Sequence, residues 1–366
     1  MADAAEQPEA FRSEEFTFRW SDFPPLTPGL PGTGGRIRVS ADDFRVSEIP
    51  AYLPEGSGSH AYALVRKQGL TTRDLVLTLM EAGLAEKQIG VAGLKDKYAV
   101  TEQWLSVPQA HGHAFEALER REGVEILERS RHRNKLGIGH LHGNRFSIRI
   151  RDAVPDAARR AAAILAEVER RGLPNYFGPQ RFGRFGTNAV DGLRLLRGES
   201  VPGGHRLQRF FLSALQSLVF NRIVALRLER GLFETVVPGD WARKHDTGGT
   251  FLVEDPKESF RAERLEISAT VPLYGRKVRQ SSGMPGELEQ RVLEGLGLRW
   301  LDFTGRRGDR RLSRLALGEI SVTEEAPSVL RLDFVLPKGS YATSLLREVM
   351  KVEVDEPDDS VDGEDE

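Results

Sequence analysis

The chain has 366 residues, 39% hydrophobic and 29% charged, with a formal net charge of −2 and no cysteine. That length allows two domains with a core that needs no staples, and the missing cysteine excludes disulfides, thiolate metal sites and cysteine nucleophiles. No apolar run approaches the ~20 residues of a membrane helix, and the acidic opening "MADAAEQPEAFRSEEF" has no basic-then-apolar leader, so a cytoplasmic protein is expected.

Residues 1–31 are interrupted by Pro and Gly and predict irregular backbone. "GRIRVSADDFRVSEIP" (35–50) alternates apolar and polar residues, which predicts strand, turn, strand. Another strand is expected over 60–69, closed by Gly69. "TTRDLVLTLMEAGL" (71–84) opens on Thr71 with Asp74 three residues later, a capping-box pattern ahead of an apolar helical stripe. Next comes "VAGLKDKYAVTEQWLSV" (91–107). Its apolar lead-in ends at Gly93, the charged run Lys95, Asp96, Lys97 follows, and alternation then resumes. "RFSIRIRD" (145–152) predicts a strand with one buried face and arginines on the other, and 153–172 reads as an Ala-rich amphipathic helix.

The character changes at "LPNYFGPQRFGRFGTN" (173–188), a Gly- and aromatic-rich loop. The longest helical pattern, 206–231, follows, and then Gly- and Pro-dense segments up to about residue 287. "SVLRLDFVLPKGSYATSLLREVMK" (328–351) predicts a strand, a Pro-Lys-Gly turn and a helix starting around Tyr341. Strands at both ends of a differently composed middle predict an insertion. Residues 1–172 and 316–366 form one domain, with a disordered acidic end at 353–366, and 173–315 form the other.

The net charge hides an asymmetry. Residues 353–366 carry nine Asp and Glu and no Lys or Arg, leaving 52 basic against 45 acidic residues elsewhere, a net of +7. The bases cluster in "ERSRHRNKLGIGHLHGNRFSIRIR" (128–151), "PQRFGRF" (179–185) and "TGRRGDRRLSR" (304–314). Arginine-rich stretches beside aromatics are the footprint of an RNA-binding surface, although arginines that only solvate a helix face have the same composition.

Few motifs carry chemistry. There is no G-x-G-x-x-G after a strand, no P-loop and no G-x-S-x-G, so nucleotide cofactors and serine-hydrolase chemistry have no support. His111/His113 and His140/His142 are two H-x-H pairs without a carboxylate at ligand spacing, so no metal is expected. Asp96 remains. A carboxylate between two ammonium groups at a turn is either a solvated ion pair or a working acid. No second acid stands at a useful spacing, which speaks against a paired-carboxylate mechanism. The local pattern by itself favours the solvated ion pair, since exposed pairs of this kind are common.

"GLKDKYAVTEQ" (93–103) resembles the G-x-K-D-x-x-A-x-T-x-Q signature of the TruD family of tRNA pseudouridine synthases. "DFRVSE" (43–48) is similar to the family's D-F-x-V-x-E element, "HGNRF" (142–146) to G-N-x-F, and "NYFGPQRFG" (175–183) to N-Y-F-G-x-Q-R-F-G. "FLSALQSLVFN" (211–221) and "LPKGSYATSLLRE" (336–348) match later blocks, and all stand in the family's order from about residue 30 to 351. The resemblance implies an α+β fold. A pseudouridine-synthase catalytic domain, with a mixed, largely antiparallel sheet and flanking helices, is interrupted by an inserted α/β domain in a V-shaped molecule with a basic cleft. It implies isomerisation of uridine in tRNA, typically at position 13 in the D-stem, with no cofactor and no metal, by a protein for which a monomer suffices.

Residue by residue, the resemblance places Asp96 on the catalytic aspartate. Arg38 falls where a basic side chain, sometimes Lys, pairs with that aspartate, and its guanidinium can hold a carboxylate bidentately. Phe44 falls on a substrate-contacting aromatic, and Asn144 and Phe146 on a base- or sugar-binding pair. Tyr341 stands where other members often carry Phe, and its ring can stack on a base. Taken alone, Phe44 and Phe146 read as core residues of alternating strands and Asn144 as a turn residue. The competing function is a non-catalytic RNA-binding protein or RNA chaperone, to which an acid in the cleft brings no advantage. A metal-dependent nuclease built on the histidine pairs is the third reading.

Overall fold

The computed structural model describes residues 13–354, so the acidic tail from residue 355 onward lies outside the described residues. Short 3-10 turns at Ser13–Phe16 and Trp20–Asp22 open the chain. A third, Ala41–Asp43, leads into β1 (Phe44–Pro50), which is followed by β2 (His60–Lys67). Helix α1 (Thr72–Glu81) starts on the expected capping box. Thr71 Oγ1 accepts the Asp74 N–H at 3.1 Å, and the Asp74 carboxylate accepts the Thr71 N–H at 2.7 Å. Then come β3 (Gly90–Val91), β4 (Val100–Pro108), α2 (Phe115–Glu119), β5 (Val124–His132), β6 (Leu141–Arg151), α3 (Ala157–Arg171) and β7 (Leu173–Pro174).

The middle of the chain supplies α4 (Asn188–Leu196), α5 (His205–Glu229), β8 (Trp241–Lys244), β9 (Thr250–Leu252), α6 (Ser259–Glu263), β10 (Ile267–Leu273), α7 (Gly283–Gly295) and β11 (Asp309–Leu312). The chain ends through β12 (Arg314–Leu315), β13 (Gly318–Ala326), β14 (Val329–Pro337) and α8 (Ala342–Met350).

The main sheet has the order β13-β14-β6-β1-β4-β2-β5, with β3 added on β4. Among the described residues only its β1–β4 pairing is parallel. This is the expected mixed, largely antiparallel sheet with flanking helices. Its inner face is apolar because the strand parity of β2 and β4 aims Ala63, Val65 and Leu105 at Leu75 and Leu79 of α1 and Phe115 and Leu118 of α2. The other face is charged. Arg149 pairs with Glu325 at 2.6 Å, Arg145 with Glu319, and Arg66 with Glu102 and Glu125 at 2.9 and 2.8 Å. The arginines of "RFSIRIRD" therefore sit on the solvent side in ion pairs.

The expected first strand of 35–50 is not formed. Arg36 makes a single bridge to Arg151, and the chain then turns at Arg38, whose φ of +57° breaks extension. Two compact units result. One holds Pro25–Tyr176, the short stretch Glu263–Leu265, and the described residues from Arg314 onward. The other holds Phe177–Ala262, Glu266–Ser313 and the described residues up to Pro24. The opening segment thus packs with the middle of the chain and not with the sheet as the division at residue 172 had it. Phe18 stacks on Phe182 with centroids 4.3 Å apart, and its N–H donates to Gly186 O at 2.9 Å.

In that second unit α5 is the one helix, among the described residues, long and apolar enough to cross a bilayer. Most of its apolar length is instead buried against α4, α7 and β10. Two of the family-like motifs meet there. Asn221 Oδ1 accepts the Phe177 N–H at 2.9 Å, and Asn221 Nδ2 donates to Phe177 O at 3.0 Å.

Candidate active site

Asp96 lies in the loop between β3 and β4. Because β4 runs parallel to β1, with Val100 beside Arg45, this loop arrives next to the start of β1 and the turn before it. Arg38, on that turn, donates from Nη2 to Asp96 Oδ2 at 3.4 Å. Its guanidinium carbon lies 4.1 Å from the centroid of the Phe44 ring. The contact is single and long, not the bidentate grip that a guanidinium can make. Nε and Nη1 of Arg38 are buried and have no hydrogen-bond partner among the described residues.

The turn that carries Arg38 is anchored by Asp43. Its buried carboxylate takes Nε and Nη2 of Arg151 at 2.9 and 2.7 Å and the Ser40 N–H at 2.9 Å. Burial raises this carboxyl, but the Arg151 guanidinium and the Ser40 amide outweigh it and hold it below its ordinary value.

The Asp96 loop is also held from beneath. Lys67, at the inward-facing end of β2, is fully buried and donates from Nζ to Leu70 O, Asp96 O and Lys95 O at 2.6, 2.8 and 3.3 Å. Thr72 Oγ1 accepts the Lys95 N–H at 2.8 Å and donates to Gln103 Oε1 at 2.8 Å. Lys95 does not frame the carboxylate. Its ammonium turns inward to Glu48 Oε1 at 2.7 Å, while Glu48 Oε2 accepts the Trp104 N–H at 3.1 Å. Lys97 is exposed. Lys67, Thr72 and Glu48 were not picked out in the sequence, although the alternation of β1 and β2 aims Glu48 and Lys67 at the same face as Val46 and Val65. A charged residue at an inward position is the signal that marks them.

Phe44 and Phe146 are buried, with rings edge to face at 6.3 Å, and Phe146 stacks on Phe334 at 5.1 Å. They floor the region beneath Arg38. Asn144 follows on the same face of β6, paired with Glu48 on one side and Leu336 on the other. Its Oδ1 is buried without a hydrogen-bond partner among the described residues, as are Thr101 Oγ1 and Gln103 Nε2. The adjacent Gly143 lets β14 approach, since a Cβ there would fall 2.1 Å from Leu336 O. Tyr341 is the N-cap of α8, partly buried, just beyond the end of β14 that pairs with Gly143. The structure thus brings Arg38, Phe44 and Asp96 into contact and sets Asn144 and Phe146 on the same sheet face.

The histidines take other roles. His140 Nδ1 bonds the Tyr52 hydroxyl at 2.7 Å, and His111 and His113 have ring centroids 6.4 Å apart on a turn after β4. Among the described residues no group of three or more His, Asp or Glu side chains could hold a metal.

The arginine-rich stretches divide. Of "TGRRGDRRLSR", Arg310 is buried on Glu289 at 2.6 Å, Arg314 is buried with Nη1 on Arg171 O at 3.0 Å, and Arg311 lies 4.2 Å over Phe177. Arg307 is exposed and Arg306 half-buried. Backbone bonds from Arg276 N–H to Arg306 O and from Lys277 N–H to Arg307 O, at 3.0 and 2.9 Å, join their loop to a second basic loop. Glycines allow the contact, because a Cβ on Gly275 would fall 2.4 Å from Gly308 N. Arg276, Lys277, Arg306 and Arg307 have no carboxylate partner among the described residues. Burial, and then the nearby charge of Arg209, push the Arg306 guanidinium below its ordinary value.

A crystal structure assigned to tRNA pseudouridine synthase D (TruD) of Methanosarcina mazei superposes on this fold with a TM-score of 0.71 at 25% identity, covering 93% of this chain and 97% of that one. The fold is that of a pseudouridine synthase. The family model of tRNA pseudouridine synthase D (TruD) matches residues 24–202 and 201–349. A tRNA pseudouridine synthase D of Thermus thermophilus is 53% identical over 340 residues, 93% of this chain and 95% of that protein. That of Anaeromyxobacter dehalogenans 2CP-1 is 45% identical over 352 residues, 93% and 99% of the two. The chain belongs to the tRNA pseudouridine synthase D family.

Proposed function

We propose that this chain isomerises uridine 13 in the D-stem of tRNA to pseudouridine, with Asp96 as the catalytic carboxylate. The observation that carries this reading is a single acid, its side chain 37% exposed, held against an otherwise buried guanidinium at 3.4 Å. Binding a polyanion gains nothing from an acid there, whereas chemistry at the ribose needs one.

The reaction breaks N1–C1′, turns the uracil and makes C5–C1′. C5 loses its proton and N1 gains one, so atoms and electrons balance without a cofactor or metal. Arg38 takes Asp96 Oδ2, and Oδ1 is the oxygen offered to the sugar. Addition at C1′ and removal of the C2′ proton to give a glycal both use it. A target base must first leave its stack. Arg38 Nε and Nη1 as donors, and Asn144 Oδ1 as acceptor, are the two kinds of group that the uracil edge, an N–H between two carbonyls, requires. Tyr341 supplies a ring for stacking the base, which contributes about 1–3 kcal/mol, and Phe44 and Phe146 complete the pocket floor. The paired loops of Arg276, Lys277, Arg306 and Arg307 suit RNA phosphates. The protein acts in this reading as a cytoplasmic monomer.

Release of tritium from tRNA transcripts labelled at uridine C5, without cofactor and with EDTA present, tests the proposal. Asp96→Asn is expected to abolish release and leave tRNA affinity within about twofold. Wild-type protein that binds tRNA but releases no label would leave the non-catalytic RNA-binding reading in its place.

A further inference from the structure

The ammonium of Lys67 has no part in the chemistry above, yet it lies under its centre. Strand β2 aims Ala61, Ala63, Val65 and Lys67 inward, so the alternation that builds the core also drives a charge into it. A buried ammonium is costly unless its N–H groups find acceptors. Two of the carbonyls that Lys67 binds belong to Lys95 and Asp96, at 3.3 and 2.8 Å. Another, Leu70 O at 2.6 Å, ties the same ammonium to the turn before α1. On the other side of the Lys95 residue, its N–H is fixed by Thr72 Oγ1 at 2.8 Å, and Gln103 fixes Thr72 in turn. Three separate elements, β2, α1 and β4, thus converge on two consecutive residues of one loop.

The Asp96 side chain shows the opposite pattern. Its one side-chain hydrogen bond among the described residues is the 3.4 Å contact to Arg38. We infer that Lys67, with Thr72 as a second strut, is the positioning residue for Asp96. It fixes the main chain of the loop, so that the carboxylate reaches the ribose from a set place while keeping its own oxygens for the reaction. Precision then resides in the backbone beneath the acid, and the side chain remains available. Lys67 also lends the loop a positive charge without occupying a carboxylate oxygen. The inference rests on the reading of Asp96 as the catalytic carboxylate.

Lys67→Met keeps length and apolar packing and removes the donors. The kcat for label release should fall about 100-fold, the scale of a catalytic group displaced by roughly 1 Å, with KM for tRNA within about twofold. Because the chain has no cysteine, Lys67→Cys introduces a unique thiol. Alkylating it with 2-bromoethylamine in the unfolded chain, with loss of bromide, and refolding restores an ammonium at nearly the original reach. Most of the kcat should return, relative to wild type taken through the same cycle, while the unalkylated Lys67→Cys protein stays impaired. A residue that only fills space would not respond to the restored charge. Lys67→Met with kcat within about threefold of wild type, or an aminoethylated protein that refolds without recovery, overturns the inference.

Should neither Lys67 variant fold, Thr72→Val decides: a fall in kcat of about tenfold at constant KM is expected, and an unchanged kcat overturns the inference. Asp96→Asn, assayed alongside, separates the two readings. An active Asp96→Asn protein removes the catalytic assignment itself, whereas an inactive one beside a fully active Lys67→Met removes only the positioning role.

Discussion

Arg38 offers the most quantitative test of the site. A hydrogen bond to a charged group contributes about 1.5–3 kcal/mol. At 3.4 Å, against a carboxylate side chain that is 37% exposed, the lower figure applies. The guanidinium over Phe44 at 4.1 Å is largely desolvated, and such a stack contributes about 1 kcal/mol. Arg38→Met removes both, about 2.5 kcal/mol together, a fall of about 70-fold in kcat/KM. Arg38→Lys keeps a cation for Asp96 and loses the planar stack, which corresponds to about fivefold. Initial rates of tritium release from C5-labelled tRNA, at substrate well below KM, give both ratios directly. Arg38→Met within about threefold of wild type, or Arg38→Lys as damaged as Arg38→Met, would refute the reasoning. The first outcome would show that the carboxylate needs no partner. The second would show that Arg38 serves through its planar guanidinium, on the ring or on the uracil edge, and not through its charge alone.

Two further outcomes are expected. Asp43→Asn should lower stability at pH 7, read from urea unfolding, because it removes the charge of a buried carboxylate that holds both Arg151 and the Ser40 amide. The folded carboxyl lies below its unfolded value, so its contribution is present above about pH 4 and is lost as pH falls through the folded value. The gap between wild type and variant should therefore close between pH 4 and lower pH, and a constant gap would refute the anchoring role. Replacing Arg276, Lys277, Arg306 and Arg307 together by Gln should raise KM for tRNA about tenfold or more at constant kcat, and flatten the dependence of affinity on salt. An unchanged salt slope would exclude these loops from RNA binding.

How far the sequence could be read depended on whether the information was local. The capping box at Thr71 and Asp74, the clean alternation of 145–152 and the turn before α8 are local, and each formed where the pattern placed it. "GRIRVS" alternates equally well, yet Arg38 takes φ +57° because the ion pair of Asp43 with Arg151 fixes its turn from another strand. No local pattern contains that partner. The basic stretches failed as a guide for the same reason. Arg307 and Arg310 are three residues apart, but one is exposed and the other is buried on Glu289, a choice made by α7.

The run Lys95, Asp96, Lys97 shows the limit most clearly. Read locally, both lysines belong to the aspartate. In the fold, Lys95 is the partner of Glu48, and the cations that act on Asp96 come from residues 38 and 67. Lys67 stood out only as a charge at an inward position, and Arg38 only through the family resemblance, because the fold joins residues that the chain separates by 29 and 58 positions. A charged residue at an inward position of an apolar strand is therefore informative by itself. It says that an acceptor has been brought to it, and the acceptors nearest a functional loop are where that search should begin.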